Sequence, residues 1–290
     1  MFVATLLTSP ARPRLTASLV EALRDRWSGG PVRWLAPHEA AEFPTRRDPE
    51  DLWDAWEGLQ AEGVDLLLQP DGNRRKRMLL ADMDSTVIRQ ECIDELAAVA
   101  GVGERVAAIT ARAMNGELDF EAALRERVSL LKGLPESVIA EVLRDRITLM
   151  PGGPALLSTM KAHGAHTVLV SGGFLSFARP IAERLGFHEA RANTLLARDG
   201  LLTGEVREPI LGREAKVATL QEVATRLGLG PQDVLAVGDG ANDLGRLRLA
   251  GAGVALHAKP AVQAECRLRV NHGDLSALLY LQGYAKAEFQ

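Results

Sequence analysis

The chain has 290 residues, 47% of them hydrophobic, with 34 Lys+Arg against 38 Asp+Glu and a formal net charge of −4 at pH 7. That length holds one large core and one or two smaller units, and the mild acidity excludes a global basic field that would draw the chain to nucleic acid or to an anionic membrane surface. No apolar run approaches the roughly 20 residues of a bilayer span.

In chain order, "FVATLL" near the N-terminus reads as a strand; it lacks the basic segment and the apolar length of a signal peptide. Residues 14–27 have helical spacing, with Leu15, Leu19, Val20 and Leu23 apolar. "VRWLA" and "VDLLLQ" read as further strands with a Trp-rich helix near 50–62 between them. Residues 1–75 therefore form a small α+β N-terminal domain, and "PDGNRRKR" (70–77) reads as a polar linker.

From residue 78 the pattern changes. "MLLAD" (78–82), "HTVLVSG" (166–172) and "DVLAVGDG" (233–240) are short apolar strands that end in small or acidic residues, with helical stretches between them. Near-continuous apolar strands alternating with helices imply a parallel sheet covered on both faces, an α/β fold with a Rossmann-like core. Such sheets bind ligands at the carboxyl ends of their strands. Residues 92–149 read as helical throughout, up to a Pro-Gly break at 151, and form a helical cap inserted into a core of 76–91 and 150–290. "ANTLLARDGLLTGEV" (192–206) is a hairpin turning at Asp199-Gly200. The two cysteines, Cys92 and Cys266, have neither metal nor disulfide spacing, so both are expected to be reduced thiols in a cytoplasmic compartment.

The strand ends carry the chemistry. Side chains at i and i+2 of a strand share a face, so Asp82 and Asp84 converge if the extended geometry persists. Two close carboxylates need a cation, or one must hold a proton. Magnesium suits the first answer, being hard, oxygen-seeking and commonly held by one or two carboxylates and a substrate phosphate. Asp239 and Asp243 in "GDGAND" add acids at another strand end. Helix caps explain many single aspartates after strands, but caps do not require three strand ends to carry Asp-x-Asp-Ser-Thr, Ser-Gly-Gly and Gly-Asp-Gly-x-Asn-Asp together. Ser171 and its glycines offer a hydroxyl and close backbone N–H groups to an anion. Lys216 lies near the start of the helix "REAKVATLQEVATRLG"; alone, a helix lysine reads as solvated surface.

"DMDSTVI" (82–88), "SGGF" (171–174), the helix lysine and "GDGANDL" (238–244) match in order the motifs of the haloacid-dehalogenase-like phosphatases. From 78 to about 275, including "ITARAMNGELDFEAALRERVSLLKGL" in the cap, the chain resembles the phosphoserine phosphatase branch of that superfamily. The resemblance implies a magnesium-dependent hydrolase that makes serine from O-phosphoserine, the last step of serine biosynthesis, through an aspartyl-phosphate intermediate. A phosphotransferase, or a phosphatase for another small phosphomonoester such as phosphohomoserine, would share the same centre. By the same resemblance Asp82 is the nucleophile and Asp84 the general acid and base. Asp82, Asp239 and the backbone carbonyl of Asp84 bind magnesium. Ser171, Gly172 and Lys216 hold phosphoryl oxygens, Asn242 touches the substrate, and Asp243 orients Lys216 or metal-bound water. Glu91 matches the acid that binds the substrate ammonium, and Arg127, rather than nearby Arg125, the arginine that binds its carboxylate. Met114 and Phe120 are candidates for the pocket wall or the cap core, and the resemblance leaves monomer and homodimer open. Some relatives carry a regulatory amino-acid-binding domain of ferredoxin-like order at the N-terminus. Departures from the pattern stand at Gly245 and Arg246, where proline and a large apolar residue are common, and at Ala123, where serine is frequent; none of the three is expected to touch the chemistry.

Overall fold

The computed structural model describes residues 1–115 and 117–290; the side chain of Met114 also lies outside the described residues, and with it the expectation for that residue. The N-terminal unit runs β1 (Phe2–Thr8), α1 (Ala17–Arg26), β2 (Arg33–Ala36), β3 (Ala40–Thr45), α2 (Leu52–Ala61) and β4 (Val64–Pro70). Its four strands form an antiparallel sheet in the order β2-β3-β1-β4, which with the β-α-β-β-α-β chain order is ferredoxin-like. Thr16 starts α1 by accepting the Leu19 N–H. The strand β3, absent from the sequence reading, carries Pro44 within its span, a residue that argues against a strand from sequence.

The segment 70–77 is anchored rather than loose. Arg74 donates to Glu42 at 2.5 Å and to the Leu281 carbonyl at 3.1 Å, and Lys76 Nζ donates to the carbonyls of Asn73 and Gln232 at 2.6 and 2.8 Å.

The core begins with β5 (Met78–Ala81). The cap follows as α3 (Cys92–Val99), α4 (Gly103–Met114), α5 (Phe120–Ser129) and α6 (Val138–Asp145). The chain then returns through α7 (Gly153–Ala162), β6 (His166–Phe174), α8 (Leu175–Leu185), β7 (Glu189–Asn193), β8 (Leu195–Arg198), β9 (Leu201–Val206) and α9 (Arg213–Arg226). It ends with β10 (Val234–Gly238), α10 (Leu244–Leu249), β11 (Ala252–Leu256), α11 (Pro260–Glu265), β12 (Leu268–Val270) and α12 (Ala277–Leu281). The strands β8 and β9 make the expected hairpin, with Asp199 and Gly200 both at positive φ, 51° and 77°. The hairpin packs on α5, and Leu201 bridges to Pro135.

The six-stranded sheet has the order β12-β11-β10-β5-β6-β7 with every pair parallel. The chain moves outward from β5 through β6 and β7 on one side, then through β10, β11 and β12 on the other. The reversal lies beside β5, where open α/β sheets form their ligand crevice. Ala81 pairs with Leu169 on one side and Val237 on the other, so the ends of β5, β6 and β10 are level. Both faces are apolar: Leu79 and Val237 join the larger core on one face, while Leu80 and Val168 on the other pack against Leu220 and Val223 of α9.

Candidate active site

The three level strand ends deliver their polar residues to one place. The sheet pairing of β5 continues one residue further, with the Asp82 N–H donating to the Val237 carbonyl at 3.0 Å; the chain then coils, with the N–H groups of Val87 and Ile88 returning to the Met83 carbonyl. The extended geometry that would align Asp82 and Asp84 thus stops between them, and Ser85 takes φ 53°. Both carboxylates nevertheless line one cavity of about 30 Å³, together with Glu91, Phe120, Arg127, Ser171, Gly172, Asp239 and Asn242. That volume holds about one or two water molecules.

Lys216 is fully buried and sits between two acids, donating to Asp82 Oδ2 at 2.6 Å and Asp243 Oδ1 at 2.8 Å. Burial works against its charge, but Asp243 and Asp82 outweigh it and raise the ammonium pKa above the usual lysine value. Burial, reinforced by Asp243, raises Asp82 well above the carboxylate range. Asp243 goes the other way: against burial, Arg246 and Lys216 hold it below the range.

Asp84 accepts the Cys92 N–H at 2.9 Å on Oδ1 and the Ser171 hydroxyl at 3.2 Å on Oδ2. Its pKa is raised, chiefly by burial, with these hydrogen bonds opposing. The glycines beside Ser171 are needed for close approach. A Cβ at Gly173 would stand 2.6 Å from Asp84 Oδ2, and one at Gly172 would stand 2.5 Å from the Phe120 ring that the cap lays over it.

Asp82, Asp239 and Asp243 each present an oxygen within 4.8 Å of the others. Asp243 is already committed: Oδ1 accepts from Lys216 and Arg246, and Oδ2 accepts the N–H groups of Asp239 and Gly240. Asp239 is not. Its Oδ1 accepts from Thr86 at 3.2 Å, while Oδ2 is buried with no partner among the described residues. Burial and the Asp243 charge push its pKa up to about 7. A buried carboxylate oxygen with no partner among the described residues, within reach of two further aspartates, is the donor set of a hard cation.

On the cap side, Glu91 accepts the Ser85 hydroxyl at 2.7 Å, and burial followed by Asp84 and Asp239 raises its pKa well above normal. Arg127 is 3% exposed; its Nε donates to the Ala123 carbonyl and its Nη1 to Thr110, which in turn donates to Asp94 at 2.6 Å. Arg125 lies on the outside, paired with Glu208 and Glu121. Asn242 Oδ1 is buried beside the cavity with no partner among the described residues. All the residues named from sequence as catalytic, metal-binding or substrate-binding thus meet at or beside this cavity.

Two features escaped the sequence. The Asp94–Thr110–Arg127 chain was legible only as polar residues on three cap helices. Arg246, expected to lie clear of the chemistry, is fully buried and bonded to Asp243. Its signal was an i,i+3 Asp–Arg pair at the start of the short helix "LGRLRL".

Residues 79–248 match the sequence model of the haloacid dehalogenase-like hydrolases. The chain belongs to that family. Among curated members of this hydrolase family, a phosphoserine phosphatase of Haemophilus influenzae is 47% identical over 204 residues, 70% of this chain and 65% of that one. A probable phosphoserine phosphatase of Schizosaccharomyces pombe is 40% identical over 98% of this chain and 95% of its own. The match thus spans just under two thirds of the first relative and nearly all of the second. Among solved structures, a haloacid dehalogenase family hydrolase of Salmonella enterica serovar Typhi superposes with TM-score 0.84 at 30% identity, covering 97% of both chains. A substrate-bound phosphoserine phosphatase gives TM-score 0.68 at 40% identity over 71% of this chain and 97% of that one. No helix among the described residues is long and apolar enough to cross a membrane.

Proposed function

We propose that this chain hydrolyses O-phosphoserine to serine and inorganic phosphate, with magnesium as its ion, and that it does so in the cytoplasm, where the buried free thiols of Cys92 and Cys266 suit a reducing compartment. The observation that carries the substrate is the presence of a half-buried acid, Glu91, and a buried arginine, Arg127, in the same small cavity as Asp82 and Asp84. A phosphomonoester that also bears an ammonium and a carboxylate satisfies all of these groups at once. The names of the relatives point the same way.

Asp82, Asp239 and the backbone carbonyl of Asp84 would hold the magnesium, and the unpartnered Asp239 oxygen fits that role. When bound, the ion supplies positive charge against the phosphoryl oxygens and the Asp82 carboxylate, so that like charges can approach. Asp82 attacks phosphorus and the ester P–O bond breaks, leaving an aspartyl-phosphate. Asp84, whose pKa is raised chiefly by burial, gives its proton to the departing serine oxygen; as a carboxylate it then takes a proton from the water that attacks the same phosphorus and frees phosphate. Lys216, the Ser171 hydroxyl and the Gly172 N–H hold the phosphoryl oxygens, where charge spreads during transfer. Asn242 offers its free oxygen to the substrate, and Asp243 holds Lys216. Arg127 makes two hydrogen bonds from Nε and Nη1, and Nη2 makes none among the described residues, which leaves it for the carboxylate.

The narrow cavity beneath the cap suits a cap that opens to admit phosphoserine and closes over it, excluding bulk water from the aspartyl-phosphate. The test is phosphate release from a panel of esters with magnesium, with chelator, and with alcohol acceptors added. Phosphoserine should turn over best, chelator should abolish release, and alcohols should not divert the phosphoryl group. Preference for phosphothreonine, phosphohomoserine or a sugar phosphate would overturn the head-group assignment.

A further inference from the structure

Arg246 heads the largest fully buried side chains of the molecule, and the steps above give it no task. A guanidinium without exposure is costly unless every part of it is paired. Here Nε and Nη2 donate to Asp243 Oδ1 at 3.0 and 2.8 Å, Nη1 donates to the Leu80 carbonyl at 2.9 Å, and Nη2 also reaches the Val237 carbonyl at 2.8 Å. Those carbonyls lie in β5 and β10, two residues before Asp82 and two before Asp239. The Asp243 oxygen that accepts from Arg246 also accepts from Lys216, which reaches Asp82. One unbroken chain therefore runs Arg246–Asp243–Lys216–Asp82, and its outer end ties together the two strands that carry Asp82 and Asp239. The backbone makes room for it. A Cβ at Gly238 would stand 2.2 Å from Asp243 Oδ2 and 2.7 Å from Arg246 Nη2, and one at Gly245 would stand 2.8 Å from Val217 of α9.

We propose that Arg246 is a positioning residue for phosphoryl transfer, clamping Asp243 and the ends of β5 and β10 so that the Lys216 ammonium is held against Asp82. The proposal rests on the placing of Lys216 at the phosphoryl oxygens. A lysine is a compact charge on a flexible stem, so its position is set by its surroundings. Without the guanidinium fork, the Asp243 oxygen that both cations share keeps only Lys216 and loses its tie to β5 and β10; Asp243 and Lys216 relax together, away from Asp82. The loss then falls on the step in which charge builds at phosphorus. Glu91 and Arg127, on the cap, keep their grip on the head group.

Four variants test this: Arg246→Met, which fills the volume without the fork; Arg246→Lys, which keeps the charge without spanning both carbonyls; Asp243→Asn; and the double variant Asp243→Asn with Arg246→Met. Each is assayed on phosphoserine and on p-nitrophenyl phosphate, with thermal unfolding to verify the fold. Arg246→Met should lower kcat on the order of 100-fold, the size of a loss from small misplacement of a reacting group. KM should stay within about threefold, since ground-state contacts are intact. Arg246→Lys should fall between, and the double variant should lose little beyond Asp243→Asn, because the two residues act as one unit. Unchanged kcat in Arg246→Met, a loss confined to KM, or additive losses in the double variant would overturn the proposal. Should Arg246→Met fail to fold, the same cycle is run with Arg246→Lys and judged by the same outcomes. Turnover of p-nitrophenyl phosphate but not phosphoserine would sink the substrate reading alone, with the cycle still decided on the aryl ester.

Discussion

Asp82 and Asp84 are the same amino acid two positions apart, and their surroundings part them. Asp82 touches the Lys216 ammonium; Asp84 accepts a backbone N–H and a hydroxyl, with no cation within hydrogen-bond distance among the described residues. A carboxyl buried in this way keeps its proton to higher pH than a free one, which suits an acid for an alkoxide leaving group. The two roles separate by substitution. Asp82→Asn should abolish turnover of every ester, since an amide is a poor nucleophile. Asp84→Asn should abolish turnover of phosphoserine, yet with p-nitrophenyl phosphate, whose leaving group needs no proton, it should release about one equivalent of nitrophenolate per enzyme and then stall for want of a base. Stopped-flow absorbance checks this; steady turnover without a burst would mean that Asp84 does not act in the second step. As pH rises through the raised Asp84 value the acid form is lost, so the wild-type rate on phosphoserine should fall while its turnover of p-nitrophenyl phosphate persists. Both aspartates were legible from sequence because three strand ends carry acidic or small-residue motifs together, which helix caps alone do not require. Arg246 was not, because a departure from a familiar motif gives no sign of whether it faces solvent or the centre.

At the scale of elements, the apolar strands β5, β6 and β10 were legible because burial on both faces leaves runs of Val, Leu and Ala. The strands β7, β11 and β12 were not: "EARAN" is charged and half-buried at an edge, "AGVAL" is short and rich in small residues, and "LRV" has three residues. The helical insertion was plain from its length, but what it holds was not, since Arg125 and Arg127 look alike in a linear reading. The fold separates them by one helical turn's geometry, sending Arg127 inward onto Thr110 and leaving Arg125 outside. Arg127→Ala should therefore lower kcat/KM for phosphoserine by roughly 10- to 100-fold, the worth of a hydrogen bond to a charged group, while p-nitrophenyl phosphate, with no carboxylate, changes little. Arg125→Ala should be silent on both. Equal losses on the two esters for Arg127→Ala would show that the residue supports the cap rather than the substrate.

At the scale of the whole molecule, the ferredoxin-like unit is built into the core rather than tethered to it. Its last strand, β4, lies beside β12, and Asp65 within β4 is fully buried. The Asp65 carboxylate accepts the N–H groups of Asn271, His272 and Gly273 at 2.9, 2.9 and 2.8 Å, closing the loop that follows β12. At the other side of the junction the Tyr280 hydroxyl donates to Glu39 at 2.6 Å, and Gln69 donates to the Leu281 carbonyl at 2.5 Å. A carboxylate that satisfies three buried donors cannot be lost cheaply, since each unsatisfied N–H costs about 1–3 kcal/mol. Asp65→Ala should lower the melting temperature of the whole chain by roughly 5–10 °C, as expected for a loss of a few kcal/mol in a protein of this size, and calorimetry should still record one transition. Its kcat and KM below that temperature should match the wild type, because no link of the site passes through Asp65. A freely hinged N-terminal unit would behave differently: the variant would then show two transitions, with the one belonging to the catalytic core unmoved.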